Sequence, residues 1–161
     1  MGMNHGALRT ACLAVGLFSC RCVAVAGQGQ PESAPASVRT AHRWLVNQQH
    51  QKTGLVRSYD MPGDKAAWTY DQALAILAFL TVSDAPAAAR CGDGLLAIRD
   101  GKLGVWADGY NSATGDATAK AIAAGPNAWM GLAMLALRNK TKQDKYLKAA
   151  VAVGDFLLRL Q

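Results

Sequence analysis

Carboxylates, amides and aromatic side chains are concentrated in two stretches of this sequence, 51–71 and 100–129. A sugar ring presents an apolar C–H face and a rim of hydroxyl groups, so a carbohydrate cleft combines flat aromatic rings with carboxylates and amides. Hydrolysis of a glycosidic bond also requires two carboxyl groups, about 5–5.5 Å apart for retention and about 6.5–9.5 Å apart for inversion. The residue types therefore indicate a glycan site. The residues that could build it are Tyr59, Asp60, Trp68, Tyr70, Asp71, Trp106, Asp108, Tyr110, Asn111, Asn127 and Trp129.

Two of these carboxylates, Asp71 and Asp108, are the candidate catalytic residues. The candidate substrate-binding residues are Tyr59, Trp68, Trp106, Tyr110, Asn127 and Trp129, with Trp106 and Tyr110 as stacking platforms. Each candidate also has a structural interpretation. Asp71 and Asn127 could cap helices, Asp108 lies in an Ala-Asp-Gly turn signature, and the aromatic rings could belong to the core. At the level of sequence both interpretations remain open.

Other kinds of chemistry have no recognisable motif in the sequence, which contains neither a Gly-rich phosphate loop nor a Ser-His-Asp arrangement. His42 and His50 are predicted to lie on the surface of one helix without the partners that a metal needs. We therefore expect no metal and no cofactor. The net charge is +6, but basic residues are dense only in 138–148, where one helix ends and the next begins. This segment is interpreted as solvated surface, and no nucleic-acid partner is expected.

Helices must position these loops, and the sequence predicts two kinds. The runs from Tyr70 to Thr81 and from Asn127 to Leu137 are apolar on nearly every side, which is typical of helices that other protein surrounds. Amphipathic outer helices are predicted at Val38–Gln49, Pro86–Arg99 and Gln143–Leu160. A shift of 58 positions aligns Leu74, Ala75, Leu77 and Ala78 with Leu132, Ala133, Leu135 and Ala136, identity for identity.

The unit of this repeat is an outer helix, a long loop, an inner helix and a compact turn. Both long loops join the C-terminal end of an outer helix to the N-terminal end of an inner one. All the long loops therefore gather at one end of the helices, which we call the loop face. Functional residues usually lie on loops that a rigid scaffold positions.

Four strings carry a resemblance to a known family: TGLVRSYD, TYDQALAILAFL, GVWADGYN and GPNAWMGLAMLAL. From Val38 to its end, the chain resembles the six-hairpin glycosidase superfamily, whose fold is an (α/α)6 toroid. The resemblance implies an all-α fold in which α/α-hairpin repeats form part of such a toroid. It also implies a carbohydrate-active protein that hydrolyses a glycan by acid/base chemistry through loop carboxylates.

The sequence supplies about two and a half of the six hairpins of that toroid, because two units are followed by one further outer helix. We therefore expect a fragment of a longer protein, or a chain that pairs with another copy. The inner helices would leave apolar sides open, so self-association is expected. A partial cleft would bind an oligosaccharide weakly, with a dissociation constant of roughly 1 mM.

The N-terminal region has the pattern of an exported protein. Residues 1–26 are predicted to be a signal peptide ending in Ala24-Val25-Ala26, residues 27–37 a linker, and residues 38–161 the helical domain. Lipoprotein processing at Cys20 is the alternative. The apolar run is too short to span a bilayer well. Removal of the signal leaves Cys91 as the single cysteine, so no internal disulfide is expected.

Two other functions compete with a glycoside hydrolase. The first is a non-catalytic α/α-repeat module that binds a glycan or a protein. The second is the related α/α toroid of terpene cyclases and prenyltransferases, against which the absence of an acid cluster and of Cys/His/Asp metal ligands argues. A second carboxylate that faces Asp71 or Asp108 would favour catalysis over binding alone.

Overall fold

The alternation of outer and inner helices predicted from the repeat is present in the computed structural model, which describes residues 34–161. The predicted signal peptide, the alternative lipid site at Cys20 and most of the predicted linker lie outside these residues. Within 34–161, no helix is both long and apolar enough to span a bilayer. The elements are α1 (Ala36–Gln48), β1 (Ala66–Trp68), α2 (Thr69–Thr81), α3 (Ala85–Ile98), β2 (Gly109–Asn111), β3 (Ala117–Ala119), α4 (Ala124–Thr141) and α5 (Asp144–Leu158).

The two inner helices, α2 and α4, pack against each other, and the outer helices α3 and α5 pack on them. Their facing sides build the core, in which Ile76, Phe79, Met130, Met134 and Leu137 are completely buried. The opposite sides remain open: Leu74 of α2 and Leu132 of α4 are 37% and 55% exposed. The inner helices are therefore apolar on all sides but are covered on only some of them.

The compact turns between the helices end each inner helix in the same way. Ser83 and Lys142 both adopt the left-handed conformation, with φ of 64° and 61°, and each follows the last turn of an inner helix. The carboxylate of Asp84 then accepts a hydrogen bond from the backbone N–H of Ala87 at 3.0 Å and caps α3, and Pro86 occupies the first turn. The compact turn at 83–86 therefore caps the outer helix that follows it.

Helix α1 presents a different side to the protein from the one predicted. It begins at Ala36 after Pro35, and Ser37 lies inside the helix and does not cap it. His42 is buried, with its Nε2 atom 2.8 Å from Oδ2 of Asp84, whereas Val38 and Trp44 are largely exposed. The prediction that His42 lies on the surface is wrong. The buried hydrogen bond between His42 and Asp84 determines which side of α1 faces the protein, and the pattern of apolar residues along the helix does not determine it.

A small antiparallel sheet joins the two long loops, in the order β1-β2-β3. Trp68 pairs with Gly109 and Ala67 pairs with Tyr110, so the first long loop is hydrogen-bonded to the second. This sheet was not predicted. It holds the two loops of the loop face at the start of α2.

The turn that follows an outer helix occurs twice with the same geometry, at 50–55 and at 100–105. The backbone N–H of His50 donates to the carbonyl of Leu55, and that of Asp100 donates to the carbonyl of Val105, both at 2.8 Å. Gly54 and Gly104 adopt φ values of 75° and 72°, which a residue with a side chain rarely adopts. The repeat predicted from sequence therefore extends to the backbone of its loops.

Candidate functional site

Asp108 connects the starts of the two inner helices. Its backbone carbonyl accepts a hydrogen bond from the N–H of Thr69, the first residue of α2, at 2.9 Å. Its Oδ1 atom accepts one from the N–H of Ala123, the residue before α4, at 3.1 Å. The positive end of the α4 dipole therefore lies beside this half-buried carboxylate, and that of α2 lies beside the backbone carbonyl of the same residue.

Asp71 lies in the first turn of α2, one turn from the sheet. Its side chain is partly exposed and does not act as the helix cap, because Trp68 occupies the cap position and no side-chain capping bond is formed. Among residues 34–161, no group donates a hydrogen bond to this carboxylate. The capping interpretation of Asp71 is therefore not supported, and the carboxylate is open to a ligand.

Two exposed aromatic rings meet in the first two turns of α2 and α4. Tyr70 of α2 and Trp129 of α4 are 40% and 41% exposed, and their ring centroids are 5.9 Å apart in an edge-to-face arrangement of 84°. Trp68, which ends β1, is also exposed, and its ring lies against Gly109. A Cβ atom at Gly109 would approach that ring to 2.9 Å, so glycine allows the contact. Tyr59 is exposed in the preceding loop.

The prediction that Trp106 and Tyr110 are stacking platforms is wrong. The Trp106 ring is completely buried, and its Nε1–H donates to the carbonyl of Leu95 at 2.8 Å. Tyr110 is 2% exposed, and its hydroxyl accepts a hydrogen bond from the N–H of Ala107 at 2.8 Å. Burial raises the pKa of the Tyr110 phenol. Both rings fill the space between the loops and the inner helices.

Asn127 is also not a substrate ligand, because it is completely buried within α4 and its amide is fully engaged. Its Oδ1 accepts from the N–H of Trp106, and its Nδ2 donates to the carbonyls of Trp106 and Ala123, each at 2.9 Å. Nor does Asn127 cap α4, because the helix already begins at Ala124.

Gln72 holds the first long loop onto α2 in the same way, since its amide bonds the N–H and the carbonyl of Val56 at 2.8 and 2.7 Å. These two amides hold the equivalent loops onto the inner helices.

Two contributors to the loop face were missed as site residues: Ser58 holds β1 by accepting a hydrogen bond from the N–H of Trp68 at 2.9 Å, and Gln72 anchors the first loop. Tyr70 was among the residues that could build the site but was not assigned a role, and it is the partner of Trp129. A signal for Gln72 was present, since it is a lone amide within an apolar helix, as Asn127 is in the next unit. Nothing in the sequence distinguishes the exposed Tyr70 from the buried Tyr110.

A metal centre finds no support among the described residues, where no three His, Cys, Asp or Glu side chains are grouped to hold an ion. Burial raises the pKa of Cys91, the one cysteine in 34–161, to about 12. Its thiol lies 3.7 Å from Oε1 of Gln72. Cys91 therefore belongs to the core between α2 and α3 and not to the loop face.

The sequence matches no known family model and no curated protein, but three solved structures share the fold. The first is an endoglucanase, a family 8 glycosyl hydrolase from Klebsiella pneumoniae, with a TM-score of 0.62 and 21% identity over 74% of this chain and 39% of that one. The second is a family 8 endo-beta-1,4-glucanase from an Achatina fulica gut metagenomic library, with a TM-score of 0.62 and 20% identity over 78% of this chain and 40% of that one. An alpha-amylase from Clostridium perfringens has the same TM-score and 15% identity over 80% of this chain and 39% of that one.

These comparisons concern the fold, because the identities are low. The chain spans about two fifths of the length of each of these structures. The predicted resemblance to the six-hairpin glycosidases, with α/α hairpins forming part of an (α/α)6 toroid, is confirmed at that level.

Proposed function

We propose that the loop face binds a glycan and contributes acid and base carboxylates to its hydrolysis. The observation that carries this proposal is that an exposed aromatic pair and two carboxylates all belong to the region where α2 and α4 begin. Tyr70 and Trp129 lie in contact, Asp71 follows Tyr70 directly, and Asp108 is hydrogen-bonded to the starts of both helices. The shared fold with two endoglucanases and an amylase is consistent with it.

The exposed rings supply the apolar part of the site. Trp129, Trp68 and Tyr70 offer surfaces against which the C–H face of a sugar ring can pack, and Tyr59 extends this surface along the first loop. Burial of an aromatic surface contributes free energy in proportion to the area that is covered. These rings determine where the sugar lies.

The carboxylates supply the polar part of the site. Asp71 accepts no hydrogen bond from residues 34–161, whereas Asp108 uses Oδ1 to hold Ala123. In a hydrolase, one of the pair protonates the leaving oxygen and the other acts as base or nucleophile, and their separation sets the stereochemical outcome. We assign these two roles to Asp71 and Asp108. The predicted signal peptide would place this activity outside the cytoplasm.

Glycan binding without hydrolysis is the second candidate. The observation that favours it is the bond between Asp108 and Ala123, since a carboxylate that holds the start of α4 has a structural role of its own. In that case the aromatic rings bind the sugar while Asp71 and Asp108 bind its hydroxyl groups.

One set of variants tests the proposal and separates the two candidates. Neutral oligosaccharides are titrated into the protein, and the release of reducing ends is followed in parallel. Trp129→Ala is expected to weaken binding by roughly three- to tenfold through the loss of ring contact. Trp44→Ala, a matched change of an exposed ring on α1, is expected to leave binding unchanged.

Asp71→Asn and Asp108→Asn distinguish hydrolysis from binding. In a hydrolase each should lower the rate of reducing-end release by about a hundredfold or more while the oligosaccharide still binds. A protein that binds the sugar and releases no reducing ends in any form is a binding module. If Trp129→Ala and Trp44→Ala bind equally, the site proposed on the loop face is wrong.

A further inference from the structure

A cavity of about 330 Å³ lies between the turn after α3 and the exposed side of α5. We call it the basic groove and define it by Arg99, Asp100, Lys102, Lys148, Asp155 and Arg159. Its formal charge is +2, from four basic and two acidic side chains. The groove lies at the loop face, because it includes the turn that follows the C-terminal end of α3, and Asp108 lies four positions after this turn.

The basic side chains of this groove have no hydrogen-bonding partner among the described residues. Within residues 34–161, none of Arg99, Lys102, Lys148 and Arg159 forms an ion pair or a side-chain hydrogen bond. The carboxylate of Asp100, which is the nearest along the chain, stabilises the turn at 100–104. It accepts hydrogen bonds from the N–H groups of Lys102 and Leu103 at 2.8 and 2.7 Å, and these bonds lower its pKa.

The repeat provides an internal comparison, since an equivalent groove lies between the turn after α1 and the side of α3. There two of the three charged groups are engaged, and Lys52 is the third. Arg90 donates to Oε1 of Gln49 at 2.8 Å, and the carboxylate of Asp93 contacts the ammonium of Lys145 at 2.6 Å and the hydroxyl of Tyr146 at 2.7 Å. The shape of the basic groove is therefore a property of the repeat, but a cluster of four basic side chains occurs only in the second unit.

The groove is close to the proposed glycan site. Asp108 lies four positions after Gly104, so their Cα atoms are at most about 14 Å apart. A short oligosaccharide can extend over that distance from Asp108. Arginine and lysine bind carboxylate, sulfate and phosphate oxygens through charge-assisted hydrogen bonds, and the guanidinium group can do so with two parallel bonds.

We propose that the basic groove binds an anionic substituent, a carboxylate or a sulfate ester, of an acidic polysaccharide whose backbone lies on the loop face. This inference rests on the proposed function, and it assigns the substrate class of the same site. Lys148 and Arg159 border the groove on the α5 side, and Arg99 and Lys102 border it on the side of the turn.

The test compares a uronic acid oligosaccharide with a neutral oligosaccharide of the same length and linkage. The protein is expected to bind the uronic acid oligosaccharide at least about threefold more tightly at low salt, since exposed ion pairs contribute modestly. This preference should fall as salt is added. The double variant Lys148→Gln/Arg159→Gln should lose the preference for the uronic acid oligosaccharide. Both side chains are exposed, so the fold is expected to persist.

A matched variant controls for overall charge. Lys52→Gln/Lys140→Gln removes two positive charges outside the groove and should retain the preference. Equal loss in both double variants would show that only net charge matters and would overturn the inference. If inorganic sulfate binds at Lys148 and Arg159 but the acidic oligosaccharide shows no preference, the groove takes a free anion, and the inference is again overturned.

The two proposals fail in different ways. When neutral and acidic oligosaccharides bind equally and both depend on Trp129, the groove inference fails and the glycan site stands. When the acidic oligosaccharide depends on Lys148 and Arg159 but not on Trp129, the groove binds an acidic glycan and the proposed site at the aromatic pair fails.

Discussion

Two buried amides, Gln72 and Asn127, illustrate how single residues hold the loop face in place. Each lies in an inner helix and bonds both the N–H and the carbonyl of one loop residue, Val56 or Trp106. The β-bridge between Val56 and Gln49 uses the carbonyl of Leu55 and the N–H of Arg57, so the N–H and carbonyl of Val56 itself are satisfied by the side chain of Gln72. An apolar residue could not do this, which explains an amide in an otherwise apolar helix.

Replacement of Gln72 by Leu should therefore destabilise the protein strongly. The buried N–H and carbonyl of Val56 would lose their partner, at about 1–3 kcal/mol each, so the free energy of unfolding should fall by roughly 2–5 kcal/mol. Gln51→Leu, at an exposed glutamine in the adjacent turn, should change it by about 0.5 kcal/mol or less. Urea denaturation measures both. Equal midpoints for the two variants would refute the anchoring role.

The buried thiol of Cys91 should make the free energy of unfolding depend on pH in the alkaline range. Its pKa is raised from 9.0 to about 12 by burial, so the unfolded chain loses the thiol proton first. The stabilising contribution of the neutral thiol is complete below about pH 9 and is lost as the pH rises from there towards 12, by at most about 1.4 kcal/mol per pH unit. The free energy of unfolding should fall less steeply between pH 9 and 11 in Cys91→Ala than in the parent protein. Identical slopes would contradict this account.

At the scale of elements, close contact between a turn and a helix depends on glycine. A Cβ atom at Gly94 of α3 would lie 1.8 Å from the carbonyl oxygen of Thr53, and one at Gly54 would lie 2.1 Å from the carbonyl oxygen of Arg90. The turn after α1 therefore rests directly on the backbone of α3. The cost of a glycine within the helix is offset by this packing.

The variant Gly94→Ala should destabilise the protein by about 1–3 kcal/mol or more, because the turn must move away from α3. Gly154→Ala is the matched control, since Gly154 also lies within an outer helix but a Cβ atom there would have no neighbour within 4 Å. That change should stabilise the protein by up to about 1 kcal/mol. Thermal unfolding of both variants gives the comparison, and a stabilising effect of Gly94→Ala would show that the contact is not close in solution.

The sequence predicted the long helices because their apolar periodicity extends over three or more turns. It could not predict the sheet, whose strands are Ala66–Trp68, Gly109–Asn111 and Ala117–Ala119, because three residues are too few for an alternating pattern. The rotation of α1 could not be predicted either, because it depends on a hydrogen bond between His42 and Asp84, which are far apart in the sequence. In the candidate site, the role of Asp71 and Asp108 stays a prediction from their place in the repeat. Which of the loop aromatics face solvent depends on tertiary packing.

At the scale of the molecule, the open sides of the helices form an apolar surface. Leu132 and Leu135 of α4 are 55% and 41% exposed, and Val151 and Leu158 of α5 are 53% and 67% exposed. In a complete toroid such sides are covered by neighbouring hairpins. Exposed apolar surfaces of this kind promote association.

We predict concentration-dependent self-association of this chain, measured by sedimentation velocity. The double variant Leu132→Gln/Leu135→Gln should shift the protein towards the monomer without unfolding it, because these side chains are exposed and contribute less to the core. Met61→Gln, at an exposed loop position, should not have this effect. A parent protein that is monomeric at every concentration would contradict the prediction.

The central claim, that a glycan binds at the starts of α2 and α4, is tested most directly by the indole N–H resonances of the four tryptophans. Trp68 and Trp129 are exposed on the loop face, Trp106 is buried, and Trp44 lies on α1 with its Nε1–H 3.4 Å from Asp60. Titration with neutral and acidic oligosaccharides to roughly millimolar concentrations should shift the Trp129 and Trp68 resonances and leave those of Trp106 and Trp44 in place. Shifts confined to Trp44 or to the compact turns around Asp84 and Lys140, or no shift with any glycan, would contradict the claim.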